Sequence, residues 1–246
     1  MEIQGKTAIV TGASQGIGRS LAMALGSAGA QVAICARNEA RLEEVAREIE
    51  SQGGRVFSRS CDISDRDACE GFVDAVLGAF GRLDILINNA GALGPRSMVL
   101  DYPAHIFEEV VKTNIVGTFS LTQIALPHLL KSEPGVVLNL SSGLGRFGVR
   151  EVSAYCASKF AIEGFSQSLA DEYPGESLIS MAVAPGMVAT DMLKAFLDQD
   201  DVSSYLDPER VGEGFVELLK LADAGWTGRS LDIEEFLTPE PINPRP

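Results

Sequence analysis

Histidine, tryptophan, cysteine and positive charge are all scarce in this chain of 246 residues. It has two His, one Trp, four Cys, and 20 Lys and Arg against 34 Asp and Glu. His105 and His128 lie away from every motif and read as ordinary helix residues. His105 shares a helix face with Glu108, but two residues do not make a zinc site, so no metal is expected. Cys35, Cys61, Cys69 and Cys156 have no CxxC or zinc-like spacing and read as buried, reduced thiols. Cys35 and Cys61 fall on neighbouring strands, yet they too are read as unpaired. A formal charge of −14 argues against a general nucleic-acid or anionic-membrane surface, so an anionic ligand needs a local basic site. No apolar run reaches the ~18 residues of a membrane span. The opening MEIQGKTAIVTG enters a strand without a basic segment, an apolar segment and a small-residue cleavage site. The expectation is a soluble, cytoplasmic protein with neither membrane nor nucleic acid among its partners.

What is present is alternation. Apolar β-like runs (KTAIVTG, QVAICAR, RVFSRSCD, LDILINNAG, GVVLNLSS, SLISMAVAPG) are separated by amphipathic stretches near 17–29, 39–52, 65–80 and 104–131, and by the helix bearing YCASK. This order predicts βαβ units and a parallel sheet. One domain over 1–246 is the simplest organisation. After Pro185-Gly186 the chain turns acidic and is broken at Pro208, which predicts an excursion over a ligand at about 187–208. A helix near 209–223 and a last strand, GRSLDI, follow. The tail from about 237, with four prolines in LTPEPINPRP, is expected to be extended.

Thr11-Gly12-Ala13-Ser14-Gln15-Gly16-Ile17-Gly18 follows the first strand and opens a helix. Glycine permits tight turns and close approach, and a helix N-terminus offers free N–H groups to a pyrophosphate. The spacing is GxxxGxG, so GxGxxG is not matched, and a purely structural strand-to-helix turn remains open. An acid about 20 residues on would favour NAD, and an arginine NADP. Here Arg37 is the first charge after the second strand, read as a 2′-phosphate ligand or as a solvated helix-start residue. Asp62, ending the third strand, is placed to accept from an adenine amino group or to cap the next helix, a role for which Asp65 competes.

Tyr155 and Lys159 lie one turn apart in YCASK, with only small side chains between them. Reducing a ketone by hydride requires a proton donor at the carbonyl oxygen. Bringing a tyrosine from about 10 to near neutrality takes roughly 4 kcal/mol, which the Lys159 ammonium and a cationic nicotinamide are expected to supply. Ser142 ends the fifth strand, where its hydroxyl would hold the same substrate oxygen. Asn114 sits within a helix although asparagine is a mediocre helix former, and its side chain is expected to relay a proton through water to Lys159.

These motifs, with Asn88-Asn89-Ala90-Gly91 and with Pro185-Gly186 followed by Thr190, resemble in order and spacing those of the short-chain dehydrogenase/reductase family, from residue 7 to about 192. The resemblance implies an α/β Rossmann-type, doubly wound, seven-stranded parallel sheet with helices on both faces. It implies Tyr155 as acid and base, Lys159 on the nicotinamide ribose, Ser142 orienting substrate, and Asn114 holding a relay water. It also implies NADP(H) as cofactor, held by Gly12, Ser14, Gln15, Gly16, Ile17, Gly18, Arg37, Asp62, Ile63, Asn88, Ala90, Gly91, Pro185, Gly186, Val188 and Thr190, besides Tyr155 and Lys159. Two departures stand out. Gln15 replaces the basic residue many members carry there, and the C-terminus lacks the usual Gly-Gly after the last strand.

Ala92 to Val99, Gly143 to Val149 and Met187 to Leu206 are expected to wall the substrate with Leu93, Met98, Leu144, Phe147, Met187, Met192, Leu193 and Phe196. Such a wall suits a ketone or alcohol of moderate size. Arg96 and Arg146 read as solvated, with a substrate anion as the alternative. A homo-oligomer, dimer or tetramer, is expected, a dimer forming through the helices near 104–131 and 155–172. Two other readings stay open: an NAD-dependent alcohol dehydrogenase, and a non-catalytic dinucleotide-binding regulator.

Overall fold

The inner strands are apolar runs buried on both faces, as in a parallel sheet covered by helices on both sides, whereas the two edge strands, RVFSRS and SLD, are partly exposed. The computed structural model describes residues 1–174 and 178–237, and the expected extended tail lies, from residue 238 on, outside them. Strands β1 (Thr7–Thr11), β2 (Gln31–Ala36), β3 (Arg55–Ser60), β4 (Ile85–Asn88), β5 (Gly135–Leu140), β6 (Leu178–Ala184) and β7 (Ser230–Asp232) form one sheet in the order β3-β2-β1-β4-β5-β6-β7. All six neighbour pairings are parallel. Helices α1 (Gly16–Ser27), α2 (Glu39–Ser51) and α8 (Pro208–Leu221) pack on one face. On the other lie α3 (Arg66–Phe80), α5 (Thr118–Leu129) and α6 (Ser153–Glu172). Period-two alternation divides each strand between them: Ala8 and Val10 join Leu21, Leu25 and Phe215, whereas Ile9 joins Phe72, Leu121 and Leu169. This is the Rossmann-type architecture expected.

The long helix expected over 104–131 is divided. After α4 (Ala104–Val111) the residues Lys112–Gly117 form a π-turn before α5 begins. Gly117 makes the bulge possible, because a Cβ there would stand 2.8 Å from the Ile63 carbonyl oxygen. The bulge turns Asn114 inward, where it is 2% exposed. In the excursion after β6, Val188 bridges to Leu206, with α7 (Asp191–Leu197) between them.

Asp84 ties the amino ends of the central strands together. Its carboxylate accepts from the Thr7 amide at 2.8 Å, from Arg82 at 2.8 and 2.6 Å, and from the Ser132 hydroxyl at 2.9 Å. Burial alone would raise its pKa, but these donors outweigh burial and hold the carboxyl below its ordinary value. A depressed acid stabilises the fold above its unfolded pKa, and that stabilisation is lost as pH falls through the folded value. Asp84→Asn is therefore expected to cost about 2 kcal/mol at pH 7, with the gap to wild type closing below pH ~4 in urea titrations; a gap independent of pH would refute the ionic role.

Candidate active site

The site is built where β1 and β4 end side by side and the chain departs in opposite directions, the switch point at which open α/β sheets bind ligands. The Thr11 hydroxyl accepts from the Asn89 and Ala90 amides, each at 3.0 Å, and the Asn89 carboxamide donates to the carbonyls of Thr11 at 2.7 Å and Gly12 at 3.2 Å. This joint leaves no room for side chains on the glycine loop. A Cβ on Gly12 would lie 2.8 Å from the Ala90 Cα, and one on Gly18 would lie 2.3 Å from the Asn89 Nδ2. Gly12 and Gly16 also hold φ of +65° and +56°. Helix α1 starts at Gly16 without a side-chain cap, so its first amides point into the cavity unclaimed by any capping group. An open glycine cradle under an uncapped helix N-terminus fits a dinucleotide pyrophosphate.

Above the cradle runs a cavity of about 680 Å³, lined at one end by Arg37, Arg41, Asp62 and Ile63 and at the other by Tyr155, Lys159, Pro185 and Thr190. Gly12, Ser14, Gln15, Gly16, Ile17, Gly18, Ala90 and Gly91 line the middle. Arg37 is exposed at the rim. Asp65 takes the cap of α3, accepting from the amides of Asp67 and Ala68, which frees Asp62 to face the cavity. Asp62 accepts from the Ser64 amide at 2.9 Å; burial pushes its pKa up, but Ser64, Arg37 and Lys112 together hold it low.

Three expected cofactor residues stand behind the wall instead. Asn88 is 4% exposed and donates to Thr122 and Asn139 at 3.0 and 2.8 Å, because its β4 position points into the interior between β4 and α5. Val188 is packed in the core, and Gly186, at φ +75°, turns the chain beneath Glu234. Neither lines the cavity.

At the far end, α6 presents Tyr155 and Lys159. Lys159 is buried, donates to the Leu140 carbonyl at 2.6 Å, and its Nζ stands 5.5 Å from the centroid of the Tyr155 ring. Burial lowers the ammonium to about 8, a fall opposed by the charge of Glu163. Burial raises Tyr155 to about 12, and the Ser142 hydroxyl hydrogen-bonded to it works the other way. This reverses the expected depression of the tyrosine: in the protein alone, the cost of burying a phenolate exceeds the help its neighbours give. Ser142 also accepts from the Leu144 amide at 3.2 Å. The Asn114 side chain is fully engaged, exchanging bonds with the Ala92 backbone at 2.7 and 2.9 Å and donating to Ser158 at 2.9 Å. Both amide hydrogens are used, so the side chain anchors the loop after β4.

Around Tyr155 gather Leu93, Leu144, Val149 and Phe196, while Met98, Phe147, Met187 and Met192 leave apolar surface exposed beside them. Leu193 is buried beneath α7. Neither Arg96 nor Arg146 is a lone cation. Arg96 joins Glu151 at 2.7 Å and the Phe196 carbonyl at 3.2 Å, and Arg146 joins Asp232 at 2.8 Å. Arg41 and Glu163 escaped the sequence reading, and Asn89 and Cys61 were read there without a place in the site. Arg41, in the first turn of α2, donates to the Gln15 side chain and lines the cavity. Glu163 lies one turn past Lys159 and accepts from Ser141 at 2.5 Å. For Glu163 the i, i+4 spacing from Lys159 within α6 was the available signal. Among the described residues no cluster of His, Cys, Asp or Glu forms a metal site, and no helix is long and apolar enough to cross a membrane.

Residues 6–201 match the protein family described as short chain dehydrogenase. A short chain dehydrogenase of Pseudocercospora fijiensis is 40% identical over 195 residues, covering 78% of this chain; the match spans 62% of that protein's length. The NADPH-dependent pterin aldehyde reductase of Arabidopsis thaliana is 31% identical over 231 residues, with 94% of each chain covered. A short chain dehydrogenase of Shigella flexneri 2a, solved in complex with NADP, superposes with a TM-score of 0.88 at 33% identity, covering 95% of this chain and 98% of that one.

The buried Lys159 has a thermodynamic signature. Its folded pKa of about 8 lies below the ordinary 10.5, so the unfolded chain binds the proton more firmly between these values. The resulting cost, up to about 3 kcal/mol, is present below pH 8 and is shed as pH rises toward 10. Lys159→Met is expected to raise the urea midpoint at pH 7, with the difference shrinking between pH 8 and 10. A variant less stable than wild type at every pH would show that the bond to Leu140 outweighs the cost of burial.

Proposed function

The chain belongs to the short-chain dehydrogenase family, and on that premise we propose that it is an NADP(H)-dependent oxidoreductase acting between a ketone and a secondary alcohol, with Tyr155 as acid and base. The observation that carries the reading is the convergence of Tyr155 and Lys159 at one end of a cavity whose other end holds Arg37 and Arg41, with the Ser142 hydroxyl hydrogen-bonded to Tyr155. The Shigella relative solved with NADP and the NADPH-dependent Arabidopsis reductase support this choice of cofactor.

The uncapped start of α1 and the loop from Gly12 to Gly18 would hold the pyrophosphate, Arg37 and Arg41 the 2′-phosphate, Asp62 and Ile63 the adenine, and Ala90 and Gly91 the adenosine ribose. Thr190 and Pro185 would border the nicotinamide, and Lys159 its ribose. When bound, the cofactor supplies or accepts the hydride. Tyr155, kept protonated by burial, donates its phenolic proton to the oxygen that becomes an alkoxide. Ser142, which shares a hydrogen bond with Tyr155, orients the same oxygen. Lys159, anchored on Leu140, lends its charge to the phenolate left behind. The apolar rim of Leu93, Leu144, Val149 and Phe196 excludes water and favours an uncharged carbonyl substrate of moderate size. The exposed Val116, Phe119 and Phe160 support a homo-oligomer through the long helices.

Tyr155→Phe is expected to lower NADPH-dependent reduction of a ketone panel at least ~100-fold while calorimetry shows NADPH binding retained; persistent turnover would sink the assignment. Arg37→Ala and Arg41→Ala should each erode the preference for NADPH over NADH about tenfold or more. Unchanged cofactor preference in both variants would move the 2′-phosphate elsewhere.

A further inference from the structure

Three of the four cysteines meet at the adenine end of the cavity, and the proposed reaction uses none of them. Cys35 comes from β2, Cys61 directly follows β3, and Cys69 lies in α3. Cys35 pairs with Arg59 across β2 and β3, and the Cys61 amide continues that ladder to the Ala36 carbonyl at 3.1 Å, so Cys61 points to the same face as Cys35. Both join Cys69 in one buried cluster, where the Cys69 thiol donates to the Ile63 carbonyl at 3.4 Å. Cys35 and Cys69 are wholly enclosed, whereas Cys61 is 4% exposed and lines the cavity beside Asp62. The Cys35 thiol accepts from the Gly12 amide, and the Cys35 carbonyl accepts from the Ala13 amide at 3.2 Å. The three thiols thus form one cluster between the phosphate loop and α3, and among the described residues Cys61 is the member that lines the cavity.

We propose that Cys61 is an oxidation site that reacts with a small hydroperoxide, forms a disulfide with Cys35 or Cys69, and thereby closes the adenine end of the cavity. The closing effect rests on the cofactor reading above; the disulfide does not. The Cys61 sulfur attacks the terminal peroxide oxygen, the O–O bond breaks, and an alcohol, or water from hydrogen peroxide, leaves. The neighbouring thiol then attacks the sulfenic sulfur, the S–O bond breaks, and water leaves. Two thiols supply two electrons to one hydroperoxide, and the two thiol protons end in the leaving molecules. The neighbouring thiols of Cys35 and Cys69 favour the Cys61 thiolate, against burial and the carboxylates of Asp62 and Asp65. Drawing Cys61 into a disulfide reshapes the wall that would meet the adenine, and a bond to Cys35 also disturbs the hydrogen bond to Gly12.

Cys156 supplies an internal control: it is 6% exposed, and among the described residues its thiol is hydrogen-bonded only to the Val149 backbone and packs outside the cluster of the other three. The test exposes the purified full chain to hydrogen peroxide, alkylates free thiols, and maps peptides by mass spectrometry. NADPH affinity is measured by calorimetry before oxidation, after it, and after reduction with dithiothreitol. The expected result is a cross-linked peptide containing Cys61, Cys156 still free, affinity lowered at least ~tenfold and restored by reduction, and slower cross-linking when NADPH is already bound. Cys61→Ser should remove the cross-link and Cys156→Ser should leave it intact. Cys61 still free at a dose that oxidises glutathione, Cys61 carrying oxygen without a cross-link, or a cross-link with unchanged NADPH affinity would each overturn the proposal. If the reduced protein fails to bind NADPH, the cofactor reading falls by itself, and the mapped cross-link still decides whether Cys61 is the oxidation site.

Discussion

The architecture depends on one close approach, the Asn89 carboxamide lying against the carbonyls of Thr11 and Gly12. At that contact the two halves of the sheet, which leave β1 and β4 in opposite directions, are held at a fixed separation. Backbone atoms approach so closely only where Cβ atoms are missing, which is why Gly12 and Gly18 stand where they do. The cavity is the space left above this joint, and its depth follows from how tightly the joint closes.

Helix α6 organises the reactive end and bears costs that a purely structural helix would avoid. It buries Lys159 with no carboxylate in hydrogen-bond contact among the described residues, Glu163 being turned to Ser141, and it surrounds Tyr155 with apolar side chains. Beneath it, Asn139 donates to Ser166, and Asn88 to Asn139, so a polar seam crosses the middle of an otherwise apolar core. The Oδ1 of Asn88 in that seam has no hydrogen-bond partner among the described residues. Such groups are retained at a cost of about 1 to 3 kcal/mol each, and what they provide is a single register of β4, β5 and α6.

The strands and most helices were legible because burial on both faces writes unbroken apolar runs, and amphipathic helices write a different period. The π-turn was signalled only indirectly, by an asparagine in a helix, since no periodicity distinguishes a one-residue slip. Tyr155, Lys159 and Ser142 were readable as a set because helical spacing and a strand end bring them together. The direction of the Tyr155 shift was not readable: it depends on how much protein encloses the ring, which spacing does not encode. Asn88 and Asn89 are adjacent and chemically identical, yet one faces the core and the other the cavity. Only the path of β4 separates them. Arg41 was missed because its meaning depends on Gln15, brought beside it by the first βαβ crossover.

Thr190 touches both ends of the problem. Its hydroxyl caps α7, accepting from the Leu193 amide at 3.3 Å, while its methyl group faces Gly16 closely enough that a Cβ there would come within 3.2 Å. The residue that caps the helix of the segment roofing the substrate side thus also lines the phosphate cradle. The floor of the cradle and the first turn of that roof therefore meet at a single side chain, so a change of bulk at position 190 is felt on both sides of the cavity.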